Sequence, residues 1–118
     1  MGAARFAFPL LMLALPVLTL PAVAQPLTAD QADAHRGEVA TVEGLVSVDR
    51  RPSGEIYLDL KDDSQNVVFW GYISHWNASQ FQDVDRLDGR QIQITGLISS
   101  FRHRPEIFLT DPGQIGFK

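Results

Sequence analysis

The side chains best suited to chemistry in this sequence are aromatic rings and guanidinium groups, and they fall close together. Arg50 and Arg51 precede a Pro-Ser-Gly turn, and Tyr57 lies in the alternating run that follows. Trp70 and Tyr72 stand two residues apart in the next run, and Arg102, His103 and Arg104 share one short segment near the end. Aromatic rings stack on nucleobases for about 1–3 kcal/mol each, while guanidinium groups follow the phosphates. The implied chemistry is binding of single-stranded nucleic acid or a similar anionic oligomer. Catalysis has little support. His35, His75 and His103 are scattered, without the close spacing of paired metal ligands. The chain has no cysteine for a thiol nucleophile, a thiolate metal site or a disulfide. Asp62 and Asp63 read as turn formers. No catalytic residue, no metal and no cofactor is expected.

Net charge pulls the other way. With 10 Lys+Arg against 14 Asp+Glu over 118 residues, the chain carries −4 at pH 7, whereas nucleic-acid binders are normally basic. The length allows one modest domain and excludes a multidomain enzyme.

The first 24 residues hold a single charge, Arg5, then an apolar run from Phe6 to Leu20, then small residues at Ala22 and Ala24. This reads as a signal peptide over residues 1–24. The run is short of the roughly 20 residues that a bilayer requires, and Pro9 and Pro16 interrupt it. Cleavage after Ala24 would leave 94 residues, with 9 basic and 14 acidic side chains. No cysteine is present to carry a lipid, so the expected product is periplasmic or secreted, without a stable membrane anchor.

The elements that must position the arginines and rings are mostly strands. Residues 25–36 form an N-terminal arm or short helix, in which Thr28 and Gln31 have capping-box spacing. A domain over residues 37–118 follows. Its segment Gly37-Glu-Val-Ala-Thr-Val-Glu-Gly44-Leu-Val-Ser47 lines up without gaps with Gly89-Arg-Gln-Ile-Gln-Ile-Thr-Gly96-Leu-Ile-Ser99. Each is a glycine turn and an alternating strand interrupted by glycine, the mark of a sharp bend at a barrel corner. Between them, Glu55 to Lys61 alternates strictly, with Ile56, Leu58 and Leu60 on one face and Tyr57, Asp59 and Lys61 on the other. Asn66 to Ile73 follows as a third strand. Trp76, Phe81, Val84 and Leu87 have the spacing of a short amphipathic helix within Ser74–Asp88, and Glu106 to Thr110 forms a last strand before the turn Asp111-Pro112-Gly113.

Three strands, a helix and two strands, the longer ones bent at glycine, predict an all-β, five-stranded Greek-key barrel of the OB type with a short helix between strands 3 and 4. The residues also resemble a known group. Gly44-Leu-Val, Arg50-Arg51 and Gly54-Glu-Ile-Tyr-Leu-Asp-Leu-Lys-Asp62, with Gly96-Leu-Ile and Pro105-Glu-Ile-Phe-Leu further on, are similar to the anticodon-type OB domains. Those domains occur in class II aminoacyl-tRNA synthetases and an exonuclease large subunit. The resemblance implies a base-stacking role for Tyr57 and a backbone-approaching loop at Arg50. Val68 departs from it, because the group tends to have a polar base-reading side chain there. A weaker similarity, in size and acidity, is to small periplasmic bacterial OB-fold proteins.

On an OB barrel the loops joining strands 1–2 and 4–5 flank the ligand face. The expected site is therefore Arg50, Arg51, Tyr57, Trp70, Tyr72, Arg102, His103 and Arg104, in a non-enzymatic module for single-stranded nucleic acid or an anionic oligomer. The alternatives are a module for a small molecule, an oligosaccharide or a protein partner, and a nuclease-like hydrolase using Arg102, Arg104, Glu106 and Asp62.

Overall fold

The computed structural model describes residues 25–118, together with Pro16. The expected signal peptide lies outside the described residues. Among the described residues are seven strands: β1 (Leu27–Thr28), β2 (Val39–Arg50), β3 (Ile56–Lys61), β4 (Val67–Ile73), β5 (Gln91–Phe101), β6 (Arg104–Phe108) and β7 (Ile115–Phe117). They are hydrogen-bonded in the order β1-β2-β3-β4-β6-β5-β7, and a further β2–β5 pairing closes β2 to β6 into a five-stranded barrel. The all-β, five-stranded OB barrel expected from the sequence is the fold observed.

The two bent strands make the closure. β2 pairs with β5 from Val39 to Leu45, then with β3 from Leu45 to Arg50, so it changes partner at Gly44-Leu45. β5 does the same at Gly96-Leu97, pairing with β2 up to Leu97 and with β6 from Ile98 onward. At both bends glycine makes room for a neighbour. A Cβ on Gly96 would lie 2.7 Å from Ile107 Cγ2, and one on Gly44 would lie 3.3 Å from Leu60 Cβ.

The sequence echo is also a symmetry of the fold. The Gly37 amide donates to the Ile98 carbonyl at 2.7 Å and the Ile98 amide to Glu38 at 2.9 Å. In the second copy, the Gly89 amide donates to Val46 at 2.8 Å and the Val46 amide to Arg90 at 3.0 Å. Each bond in one copy has its counterpart in the other, and both turn glycines have positive φ. The pseudo-twofold passes through the pair Val42–Ile94, both fully buried. It also relates two single 3-10 turns, Ala32–His35 and Val84–Leu87.

Inward alternation fills the barrel with Val42, Val46, Leu58, Leu60, Phe69, Ile92, Ile94, Ile98, Ile107 and Leu109. Each such aliphatic or aromatic side chain stabilises the fold by about 1.5–3 kcal/mol relative to exposure.

The helix between strands 3 and 4 of the barrel is two 3-10 turns, Ala78–Gln80 and Val84–Leu87, rather than one amphipathic segment. Phe81, Val84 and Leu87 are buried as their spacing requires, but Trp76 is 81% exposed. Short polar side chains compete for the backbone here: Asn77 donates to Ser74 Oγ, and the Val48 amide donates to Asp88 Oδ1. Both ends of the described segment carry strands that the sequence does not predict. β1 adds in parallel to β2 through Leu27–Val42 and Thr28–Glu43. Asp111 caps a further 3-10 turn, Pro112–Gln114, with a complete capping box that launches β7 along β5. Strands of two and three residues leave no periodicity to detect.

Candidate nucleic-acid interface

Alternation along β3, β4 and β6 turns Tyr57 and Asp59, then Val68, Trp70 and Tyr72, then Glu106 and Phe108 away from the barrel core. Register sorts them into rows. Tyr57 pairs with Tyr72, and Tyr72 with Phe108. Their ring centroids are 5.2 Å and 5.3 Å apart and tilted by 51° and 48°, giving an aromatic ladder across three strands. The adjacent row is Asp59–Trp70–Glu106.

The arginines approach this face from two hairpins. Arg51, in the β2–β3 loop, bonds Asp49 at 3.1 Å and holds its guanidinium 5.3 Å from the Tyr57 centroid. Arg104, the first residue of β6, lies 4.5 Å over Trp70 and 5.9 Å from the same Tyr57 ring. Arg102 lies 5.3 Å over Phe101. The two loops therefore converge on Tyr57. Arg50 is turned to the opposite face of β2, where Asp85 binds it through two bonds at 2.7 Å and 3.0 Å. That bond raises the Arg50 guanidinium further above its ordinary range and lowers the Asp85 carboxyl below its own. Among the described residues, Arg102 and Arg104 have no ion-pair partner. Arg36 of the arm donates to the carbonyl of His103 at 2.8 Å and so ties the turn to the arm.

The β5–β6 turn is unusually built. Phe101 pairs with Arg104, leaving only Arg102 and His103 between the strands, with φ of 49° and 68°. Two left-handed residues in a two-residue hairpin form a type I′ turn, a position that favours Asn-Gly. Left-handed backbone costs an ordinary residue about 1–2 kcal/mol, and such outliers gather where a ligand is held.

Carboxylates share the face. Tyr57, Tyr72, Phe101, Arg102, Glu55 and Glu106 line a cleft of about 340 Å³. Glu106 is only 7% exposed, and its Oε2 is buried without a hydrogen-bond partner among the described residues. Burial pushes its carboxyl above the usual range, against the opposing pull of Arg104. Half-buried Asp59 is raised by burial and by Asp49. Burial also raises the phenols of Tyr57 and Tyr72, keeping both neutral. Asp62 Oδ1 accepts from the Ser64 and Asn66 amides at 2.9 Å, the contacts of a turn former.

Of the residues singled out from sequence, the fold brings Arg51, Tyr57, Trp70, Tyr72, Arg102, His103 and Arg104 to one face, and leaves Arg50 engaged elsewhere. It adds Phe108 and Phe101, and it brings in Glu106, which the sequence pointed to only for the hydrolase alternative. The alternation of Glu106 and Phe108 against Ile107 and Leu109 already placed the first pair outward.

No family model matches this chain, and no curated protein matches it. Among solved structures, a putative aspartyl-tRNA synthetase from Leishmania major Friedlin superposes on 84% of this chain and 21% of its own, with TM-score 0.54 and 8% identity. This chain thus spans about a fifth of that protein. The likeness and the barrel topology together give the fold, a five-stranded OB-fold barrel.

Proposed function

We propose that this chain is an exported, non-enzymatic OB-fold module that binds single-stranded nucleic acid, or a similar anionic oligomer, across β3, β4 and β6. The observation that carries the reading is the Tyr57–Tyr72–Phe108 ladder, with uncommitted arginines at its edge. Bases stack on the ladder, while Arg102 and Arg104 meet the phosphates. The likeness to a synthetase supports the same ligand class. The acidic net charge limits the salt tolerance of binding rather than excluding it, because Asp83, Asp85 and Asp88 lie on the 3-10 segment away from this face.

Fluorescence anisotropy with a labelled oligothymidylate of about 15 nucleotides tests the proposal. Binding at low salt is expected, weakening as salt rises and dropping about tenfold in Tyr57→Ala. No binding at low salt, or binding indifferent to Tyr57→Ala, overturns it. The carboxylates in the cleft favour a second reading, a module for a small molecule or oligosaccharide. Thermal shift with ligands of each class separates the two, since a ligand of the native state raises the melting temperature.

A further inference from the structure

Glu106 is the only buried carboxylate among the described residues, and stacking and phosphate attraction leave it unused. Glu106 lines the cleft together with Tyr57 and Tyr72, and its Oε2 is buried with no hydrogen-bond partner among the described residues. Two neighbours that could satisfy it do not. Ser99, paired with it across β5, donates its hydroxyl to the Glu106 backbone carbonyl at 3.2 Å. Arg104 lies over Trp70 without closing an ion pair. An acceptor stripped of water and unanswered by protein destabilises the free state and rewards a ligand that supplies a donor.

Resting on the nucleic-acid reading above, we infer that the Glu106 carboxylate selects the base stacked beside it, accepting hydrogen bonds from an N–H edge and favouring guanine. An ionised carboxylate has acceptors only, on two oxygens. Guanine presents two adjacent donors, N1–H and the 2-amino group, which match them. Adenine and cytosine offer an amino group beside a ring acceptor. Thymine and uracil offer one N–H between two carbonyl oxygens that the carboxylate repels. Unpaired bases expose this edge, and a buried polar group rejects an analogue lacking the matching donor. Glu106 would thus supply the discrimination that Val68, apolar and partly packed against the core, does not.

The test compares three labelled oligonucleotides of about 15 nucleotides: oligothymidylate, the same with one central guanine, and the same with hypoxanthine there, which lacks the 2-amino group. The guanine probe is expected to bind about tenfold more tightly than oligothymidylate, with hypoxanthine between them. In Glu106→Gln the preference is expected to vanish while affinity for oligothymidylate changes less than about twofold. Equal binding of all three probes by the unmodified protein overturns the inference, as does a guanine preference that survives Glu106→Gln. Absence of binding to every probe instead brings down the nucleic-acid reading itself. Should Glu106→Gln melt below working temperature, the probe series on the unmodified protein still decides.

Discussion

The pseudo-twofold axis relates two hairpins that the protein uses for different ends. After β2, the loop turns on Gly54, at φ 94°, a residue that tolerates this conformation. Its Arg50 is locked to Asp85. After β5, at the equivalent place, the turn stands on Arg102 and His103 in left-handed conformation, and its arginines have no ionic partner among the described residues. The first loop's arginines are both ion-paired, Arg51 to Asp49 as Arg50 is to Asp85. The other holds charge and strain in reserve beside the aromatic ladder, as expected of a ligand site.

That contrast is most sharply broken by removing the charges. Arg102→Ala with Arg104→Ala should weaken oligothymidylate binding about 100-fold at low salt, at roughly tenfold for each charge-assisted contact. Arg50→Ala should change it less than about twofold, because Asp85 already holds that guanidinium. Anisotropy titration of both variants checks this, and equal losses would mean that the two hairpins are not specialised.

The bends can be compared in the same way. Gly96→Ala drives a methyl to 2.7 Å from Ile107 Cγ2, and Ile107 is fully buried and branched at Cβ, so it has no room to swing aside. A loss of about 1–3 kcal/mol is expected. At Gly44 the nearest atoms are 3.3 Å away, and Gly44→Ala should cost less than about 1 kcal/mol. Urea denaturation of the two variants measures the difference.

The barrel itself was legible because its strands alternate and its two bends fall on glycine, so period and breaker agree. The ladder was half legible: Tyr57 and Tyr72 stood on outward positions, but their contact with Phe108 depends on the parallel β4–β6 pairing that sequence order hides. Arg50 and Arg51 look alike in sequence, and only strand alternation at the end of β2 sends one to Asp85 and the other to Tyr57. The Arg102-His103 turn was invisible as a two-residue hairpin because it lacks the Asn-Gly that would announce one.

Replacing that turn puts stability and binding in opposition. Arg102→Asn with His103→Gly installs residues suited to a type I′ turn and should raise stability by about 1 kcal/mol. It should also weaken oligothymidylate about tenfold through loss of Arg102. A variant that is more stable and binds equally well would show that the strained turn has no part in the site.

The smallest effect expected is at Asp59, a half-buried carboxylate on β3 close to Asp49 of β2. Burial and Asp49 raise its carboxyl above the ordinary range, so the folded state holds a proton there more tightly than the unfolded chain does. Ionised Asp59 therefore opposes folding at pH 7, and this opposition fades as pH falls into the carboxylate range and the folded state takes up its proton first. Asp59→Asn should accordingly raise the melting temperature by about 1–3 °C at pH 7 and by much less near pH 4. The opposite sign is expected at Asp85. The Arg50 bond lowers the Asp85 carboxyl, so Asp85→Asn should reduce the melting temperature at pH 7, and its effect should disappear as acid removes the charge. Opposite signs at the two sites, recorded by thermal melts across pH, would separate a carboxylate matched by an arginine from one left unmatched on the ladder face.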